Sequence, residues 1–274
     1  MIKRFAMLVC LFLLAAMISG CGTSEEPAEK ATWYLAEYTN ELAFPGGTTQ
    51  RIVYTYDDQW RMSTLKSYFN DDPAADMTYT YSKDNTVVTS KDSVSGLTSE
   101  VHRSFDHQGN IIKMEEYDNG TKTGVAYNEY NEKNQLISQI STYFDHPLLQ
   151  KIEYRYTYDN QGNELEESQE MTYTDGTIST SRTVSQYDSR NRLTEVSQYT
   201  GDTLSYTYLY TYDDTANTQT RTTTEANSGK LVYTYDDHGN LLTLEAFGPD
   251  GTLQYTHRYR YISTDGKESS ALAE

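Results

Sequence analysis

Beyond residue 32 the chain alternates polar and apolar residues with a period of two, in short runs separated by turn residues. This alternation is typical of half-buried β-strands, and no stretch shows the 3.6-residue apolar period of an amphipathic helix. The runs repeat, and each copy can be aligned on the aromatic residue that precedes a turn. These aromatic anchors delimit eight units of similar length. They are Tyr56, Tyr81, Phe105, Tyr130, Tyr158, Tyr187, Tyr212, Tyr235 and Tyr261.

Each unit contains two turn signals and is therefore expected to form two strands. An Asp, Asn or Ser follows every anchor except the last, and such a residue starts a turn by bonding its own backbone. An apolar residue returns six positions after the anchor in most units, with Glu164 and Thr218 as the departures. Beside Glu164, we expect Leu165 to take the inward place through a one-residue bulge. A second turn, marked by Gly, Asp or Pro, completes each unit.

The predicted fold is all-β, an antiparallel β-meander of about eight two-strand units that forms a long twisted, curled or spiral sheet. Residues 33–44 are expected to add a strand that caps one edge, which a repeat sheet needs. Closure of the sheet on itself stays open, because curvature depends on twist and bulges. A membrane barrel is disfavoured, since neither face carries an apolar band for lipid.

Paired tyrosines two residues apart place both rings on one face of a strand. Stacked from unit to unit, these rings are expected to form a tyrosine ladder. The ladder is either the core of the sheet or a ligand-facing surface, and its recurrence in every copy favours the core. Its residues are Tyr54, Tyr56, Tyr79, Tyr81, Tyr156, Tyr158, Tyr210, Tyr212, Tyr233 and Tyr235.

The pattern Y-x-Y-D-x-x-G-N-L, recurring about every 25 residues over 50–262, resembles the YD repeat of the RHS/YD-repeat proteins. The copy D-D-H-G-N-L at 236–241 matches it best. In large members of that family such hairpins coil into a hollow shell, and the resemblance implies a strongly curled sheet here. The chain is too short for a large sealed container, and nothing in it resembles the family's core segment or toxin tip.

The N-terminus reads as an export signal. Lys3 and Arg4 precede an apolar run over 5–18 that is too short to span a bilayer. The following I-S-G-C at 18–21 resembles the lipobox of bacterial lipoproteins, which implies cleavage before Cys21 and a diacylglyceryl thioether on its sulfur. An ordinary secretory peptide and an uncleaved anchor are the alternatives. The expected division is a signal peptide (1–20), a polar tether with lipidated Cys21 (21–32), the repeat domain (33–262) and a flexible tail (263–274).

The cysteines and the net charge bear on disulfide bonding and on the class of partner. Cys10 leaves with the signal and Cys21 carries lipid, so the mature chain has no disulfide. Without Lys3 and Arg4 it keeps 20 basic and 40 acidic residues, a formal net charge of −20. Such a charge repels nucleic acid, so we expect no nucleic-acid partner.

Candidate chemistry is sparse. The sequence has no nucleophile elbow, Walker loop, zinc-protease motif or dinucleotide fingerprint. Among the histidines, His107 and His238 are expected to be solvated turn residues. Scattered acids such as Glu115, Glu116, Glu166 and Glu167 could supply a carboxylate pair of the glycosidase kind, but a chain with 40 acidic residues offers many such pairs.

Aspartate pairs at turns offer oxygen ligands for calcium. They are Asp57-Asp58, Asp213-Asp214 and Asp236-Asp237. Turn capping explains them better, because the loop motifs of calcium proteins do not accompany them. We therefore assign no metal, no cofactor and no catalytic residue.

We expect a non-enzymatic, lipid-anchored cell-envelope protein, exposed on the extracytoplasmic side in the periplasm or at the cell surface. Its sheet would be a structural or binding module, with an envelope glycan or a protein as partner besides the membrane lipid. A carbohydrate-binding accessory lipoprotein is the first alternative. An enzyme, or a remnant of an RHS-type toxin shell, is the second.

Overall fold

The computed structural model describes residues 32–42, 48–224 and 229–270, and every regular element in them is a β-strand. The predicted signal peptide (1–20), Cys21 with nearly all of the tether, and the end of the tail (271–274) lie outside the described residues. In the described part of the chain, no helix is long and apolar enough to cross a membrane.

The strands in chain order are β1 (Trp33–Leu42), β2 (Thr49–Tyr56), β3 (Met62–Phe69), β4 (Asp72–Tyr81), β5 (Val87–Asp92), β6 (Thr98–Phe105), β7 (Ile111–Asp118), β8 (Thr121–Tyr130), β9 (Leu136–Tyr143), β10 (Leu149–Tyr158), β11 (Glu164–Tyr173), β12 (Ile178–Tyr187), β13 (Leu193–Thr200), β14 (Thr203–Asp213), β15 (Thr218–Thr223), β16 (Lys230–Tyr235), β17 (Leu241–Phe247), β18 (Leu253–Ser263) and β19 (Glu268–Ser270).

The sheet closes on itself. Each strand from β1 to β17 pairs antiparallel with the next, and β1 also pairs with β18, so that Tyr38 lies opposite Ile52 on one side and Tyr259 on the other. The result is a closed antiparallel barrel of 18 strands. The all-β meander is confirmed, but the open curled or spiral sheet is wrong. Closure gives both end strands a partner, which removes the exposed edges that an open repeat sheet carries.

The repeat unit is confirmed as two strands and two turns, and the eight units run from β3 to β18. The extra strand predicted over 33–44 is β1, but it closes the barrel and does not cap a free edge. The first part of the segment expected to be a flexible tail (263–274) is ordered in strands. Ser263 ends β18, and β19 pairs with residues 260–262 of β18, on the edge that β17 leaves unpaired.

A one-residue bulge recurs where the second strand of a hairpin begins. In the hairpin of β10 and β11, Thr157 pairs with Glu166 and Tyr158 with Glu164, which leaves Leu165 as the extra residue. Leu165 is 37% exposed, so the expectation that it takes the inward place is wrong. Glu164 keeps that place. The equivalent extra residues are Ser63, Ile112, Ile137, Thr194 and Leu242.

The aspartate after each anchor holds its turn through backbone hydrogen bonds. Asp159 Oδ1 accepts the N–H groups of Gln161 and Asn163 at 2.8 and 2.9 Å, and Oδ2 accepts Asn163 Nδ2 at 2.8 Å. Gly162 completes the turn at φ 97°, a region that L side chains disfavour. Oδ1 accepts the same pair of backbone N–H groups at five other turn residues, which are Asp57, Asp106, Asn131, Asp188 and Asp236.

The anchor tyrosines join one hairpin to the next. The backbone ladder between β9 and β10 ends at Arg155 and Ser138, and Tyr158, three residues further on, donates its hydroxyl to the Leu136 carbonyl at 2.7 Å. Five other anchors donate in the same way to the strand that precedes their own. They are Tyr56, Tyr81, Tyr130, Tyr187 and Tyr212.

The two faces of the wall differ in burial. Along β4, Met77 and Tyr79 are buried whereas Thr78 and Thr80 are exposed. In a closed barrel, side chains converge on the concave face, so we assign the more buried face to the lumen. Eighteen strands about 4.8 Å apart give a circumference of roughly 86 Å before tilt, wider than the eight-stranded barrels that side chains fill.

The outward face carries both charged and apolar side chains. The ion pair of Lys66 Nζ with Asp76 Oδ2 at 3.8 Å lies at the middle of β3 and β4, and exposed apolar residues such as Ile140 and Leu209 lie on the same face of the wall. A charge on a lipid-facing wall costs about 2–4 kcal/mol at the bilayer midplane.

Replacing Tyr158 by Phe removes only the hydroxyl that bonds the Leu136 carbonyl. We expect the free energy of unfolding to fall by about 1 kcal/mol, the usual net value of one hydrogen bond. Urea denaturation of the purified protein measures this change. The outward Tyr127, which is 50% exposed, provides the control, because Tyr127→Phe should change stability by less than about 0.5 kcal/mol. Equal losses in both variants would contradict a joining role for the Tyr158 hydroxyl.

Candidate functional site

The lumenal face is the candidate site, because it collects the predicted tyrosines. All ten ladder residues lie on this face, on the even-numbered strands β2, β4, β10, β14 and β16. Tyr79 is only 5% exposed, and the others are half-buried or partly exposed. The inward direction favours a role in the fold, and the rings also line the space that the barrel encloses.

The tyrosine rings do not stack from strand to strand as their spacing in the sequence predicts. An odd-numbered strand separates each tyrosine-bearing strand from the next, so the direct cross-strand neighbours are residues of other types. Opposite Tyr54, Tyr79, Tyr156, Tyr210 and Tyr233 stand Leu65, Ser90, Glu167, Arg221 and Leu244, respectively. Parallel rings occur along one strand, where Tyr154 and Tyr156 are 6.3 Å apart with an interplanar angle of 14°.

Three lumenal carboxylates carry no basic partner. Burial raises the pKa of Glu116, Glu164 and Glu167, and the negative charges of Asp118 and Glu167 raise those of Glu116 and Glu164 further. Among the described residues, no Lys, Arg or His nitrogen lies within 4.0 Å of these three carboxylates.

Their sequence neighbours behave in the opposite way. Glu115 points outward, where Lys122 and Lys113 lower its pKa to about 2. Glu166 also points outward and pairs with Arg182. Because adjacent residues of a strand face opposite sides of the wall, neither Glu115–Glu116 nor Glu166–Glu167 brings two carboxylates together. Of these four acids, Glu116 and Glu167 face the lumen.

Gly124 lies between Glu116 and Tyr143 in the lumenal wall. It pairs with Glu116 on β7 and with Tyr143 on β9. A Cβ atom at Gly124 would lie 3.3 Å from Glu116 Oε2, so the carboxylate leans over the glycine. Tyr143 is 8% exposed, and its pKa is raised by burial first and by Glu116 second.

Two buried hydroxyls lie beside Gly124. Tyr143 OH and Ser141 Oγ bond no third group among the described residues, and the Ser141 hydroxyl lowers the pKa of Tyr143 through a side-chain hydrogen bond. Ser141 is 4% exposed.

The paired aspartates at the turns accept hydrogen bonds, either from the backbone of their own turn or from a side chain of an adjacent turn. Asp213 and Asp236 cap their own turns, and Asp214 accepts from Arg190 and Arg192 at 2.7 Å each. Asp237 accepts from Asn217 at 3.0 Å. The described part of the chain holds no group of three or more His, Cys, Asp or Glu side chains placed to hold a metal ion.

The two turn histidines are exposed, as expected, and His238 also stacks on Trp33 with ring centroids 4.9 Å apart. The predicted lipidation site, Cys21, lies outside the described residues.

Sequence reasoning missed Glu116, Gly124 and Tyr143 as a group. None belongs to the anchor motif, and the bulge at Ile112 reverses which residues of β7 face inward. Counting by two from Ile111 without the bulge would point Glu115 into the lumen. A count that included the bulge would have placed Glu116 there.

No protein-family model matches the chain, and no curated protein is significantly similar to it. Among solved structures, the chain is similar to a porin-like protein from Bacteroides uniformis ATCC 8492, with 13% identity, 82% of this chain and 96% of that chain covered, and a TM-score of 0.48. It is also similar to a porin-like protein from Bacteroides vulgatus ATCC 8482, with 10% identity, 83% and 98% covered, and a TM-score of 0.37.

Substitution of Glu116 by Gln should stabilise the protein at neutral pH. A raised pKa means that the folded state releases this proton later than the unfolded state, so stability falls as pH rises through the raised value. We expect the advantage of Glu116→Gln in urea denaturation to grow between pH 4 and pH 8. Glu115→Gln should show the opposite sign, because its lowered pKa stabilises the folded state above pH 4. Curves of the same sign would contradict the assignment of the two faces.

Proposed function

We propose that this protein is a non-enzymatic, lipid-anchored component of the cell envelope whose barrel is a ligand-binding module. The mid-strand charges of the outer wall carry the proposal, because a charge on a lipid-facing wall is costly at the bilayer midplane. Attachment to a membrane then depends on the chain before Trp33, where the lipobox-like I-S-G-C places an acylated Cys21.

The position of the tether fits this arrangement. The first barrel strand begins at Trp33, and residues 22–32 can extend at most about 40 Å from an acylated Cys21. The barrel is thereby held near a membrane while its wall and lumen stay in water. The repeat domain resembles the YD repeat in sequence, but its hairpins close into a barrel and do not coil into the spiral that the resemblance implies.

A non-catalytic role is supported by the placement of the acids. The adjacent carboxylates point to opposite faces, and the turn aspartates are engaged by the backbone of their own turns. The lumen offers aromatic rings and carboxylates for recognition. The alternative of an enzyme, or of a toxin-shell remnant, has no such arrangement in its favour.

The lipid anchor is tested with Cys21→Ser in the organism that encodes the protein. We expect the native protein to partition into the detergent phase and the membrane fraction, and the variant to remain uncleaved or to appear in the soluble fraction. Mass spectrometry of the mature N-terminus identifies the acyl chains. Cys10→Ser is the matched control and should leave both acylation and partition unchanged. Equal membrane partition of native and Cys21→Ser protein, with no acyl mass, would contradict the proposal.

A carbohydrate ligand is the second candidate, favoured by the parallel rings of Tyr154 and Tyr156 on the lumenal wall. Tyrosine rings offer flat apolar area with a polar tip, which suits sugar rings. We expect glycan-array binding that Tyr156→Ala weakens by about tenfold, whereas the outward Tyr127→Ala leaves it unchanged. Absence of any glycan signal would remove this candidate without affecting the lipid anchor.

A further inference from the structure

One end of the barrel carries both tryptophans of the chain. Trp33 is the first residue of β1, and Trp60 lies in the turn between β2 and β3. Because β1 and β2 pair antiparallel, the start of β1 and the end of β2 lie at the same end of the barrel. We name this end the aromatic rim, and it consists of the start of β1 and the turns that follow the anchors, such as 57–61 and 236–240.

The two tryptophans belong to a cluster of rings at this rim. The Tyr34 ring lies 5.0 Å from the Trp60 ring at an interplanar angle of 17°, and 5.1 Å from the Tyr56 ring. Trp33 stacks on His238 of another turn. None of these rings is fully buried, so part of their apolar area stays exposed. Indole and phenol rings, with an apolar body and a polar tip, are the side chains that collect at a membrane–water interface.

Apolar side chains also lie on the opposite side of the same rim. The bulges near the anchor turns leave Ile112, Ile137 and Leu165 as extra residues, and these three are 36 to 38% exposed. They begin β7, β9 and β11, across the barrel from the cluster on β1 and β2. The aromatic rim therefore offers apolar contact area on both sides of the mouth.

The path of the chain selects this rim over the other end of the barrel. Exposure alone does not, because Leu148 and Ile178 at the other end are more than 60% exposed. The chain enters the barrel at Trp33, and the eleven residues 22–32 span at most about 40 Å. Ten-residue strands tilted by about 40° give a wall roughly 25 Å high. A membrane at the other end would hold the tether along the wall for most of its full extension, at a cost in chain entropy.

Charge at the aromatic rim selects the kind of lipid. The exposed carboxylates of Asp58 and Asp237 lie in the turns that carry Trp60 and His238. They repel anionic headgroups. Phosphatidylcholine has no net charge and presents a quaternary ammonium group, which the faces of tryptophan and tyrosine attract. The rim therefore fits a zwitterionic lipid surface.

We propose that the aromatic rim docks on a zwitterionic lipid surface, with Trp33 and Trp60 at the level of the headgroups and the other mouth of the barrel facing water. This inference rests on the proposed lipid anchor at Cys21 and adds the orientation of the barrel. A tether alone keeps the barrel near a membrane, whereas docking brings the two indoles into contact with lipid.

Tryptophan fluorescence of the full-length acylated protein in vesicles tests the proposal, because the two indoles report on this rim alone. Vesicles of phosphatidylcholine with brominated acyl chains should quench the emission by at least about twofold relative to unbrominated vesicles. Trp33→Phe and Trp60→Phe should each retain a quenched emission from the remaining indole. Added phosphatidylglycerol should weaken the quenching, and stronger quenching in its presence would overturn the choice of zwitterionic lipid.

A reporter at the other end of β3 is the matched control. Phe69, which is 48% exposed, ends the strand that Trp60 precedes. Phe69→Trp in a Trp33→Phe, Trp60→Phe background should keep its full emission in brominated vesicles. Equal quenching of this reporter and of the native protein would overturn the orientation, and so would an unquenched native protein. Detergent partition of Cys21→Ser measures the lipid anchor separately, so an anchored but unquenched protein contradicts the docking alone.

Discussion

The hydrogen bond from an anchor tyrosine to a carbonyl of the preceding strand is the constraint on which the barrel depends. Within a hairpin the backbone ladder runs as far as the anchor, whereas between hairpins it stops three residues earlier, as at Arg155 and Ser138 before Tyr158. The hydroxyl bridges that remaining length. A repeat with one such bond per unit keeps a uniform relation between successive hairpins, and a uniform relation repeated eight times lets β18 meet β1.

At two anchors, a different hydrogen bond replaces the one from a tyrosine hydroxyl to a backbone carbonyl. Phe105 has no hydroxyl, and in its unit Arg103 donates to the Asn85 carbonyl at 2.7 Å. Tyr235 donates to the side chain of Gln219 at 3.1 Å where the other anchors reach a carbonyl. These bonds involve different atoms, yet each joins an anchor-bearing strand to the preceding hairpin near the turn end of the barrel. A hydrogen bond to the preceding hairpin therefore forms near these anchors even where it does not run from a tyrosine hydroxyl to a carbonyl.

Closure also separates two chemical environments that alternate along every strand. Outward acids such as Glu115 are paired with lysine and stay ionised, whereas inward acids such as Glu116 are buried without a partner and resist ionisation. An unpaired buried carboxylate lowers stability at neutral pH. A buried carboxylate and two buried hydroxyls meet at Gly124, over which the Glu116 carboxylate leans.

The sequence by itself determined the strands, the turns and the repeat. Alternation, the anchor spacing and the turn residues are local properties, and the structure confirms them down to the carboxylate bonds of Asp159. The N-terminal signal and Cys21 remain predictions from sequence alone. Only the tertiary structure decided closure, because meeting of β1 and β18 depends on twist accumulated over the whole sheet. It also decided which acids face inward, since the bulge at Ile112 reverses the alternation and moves Glu116 into the lumen.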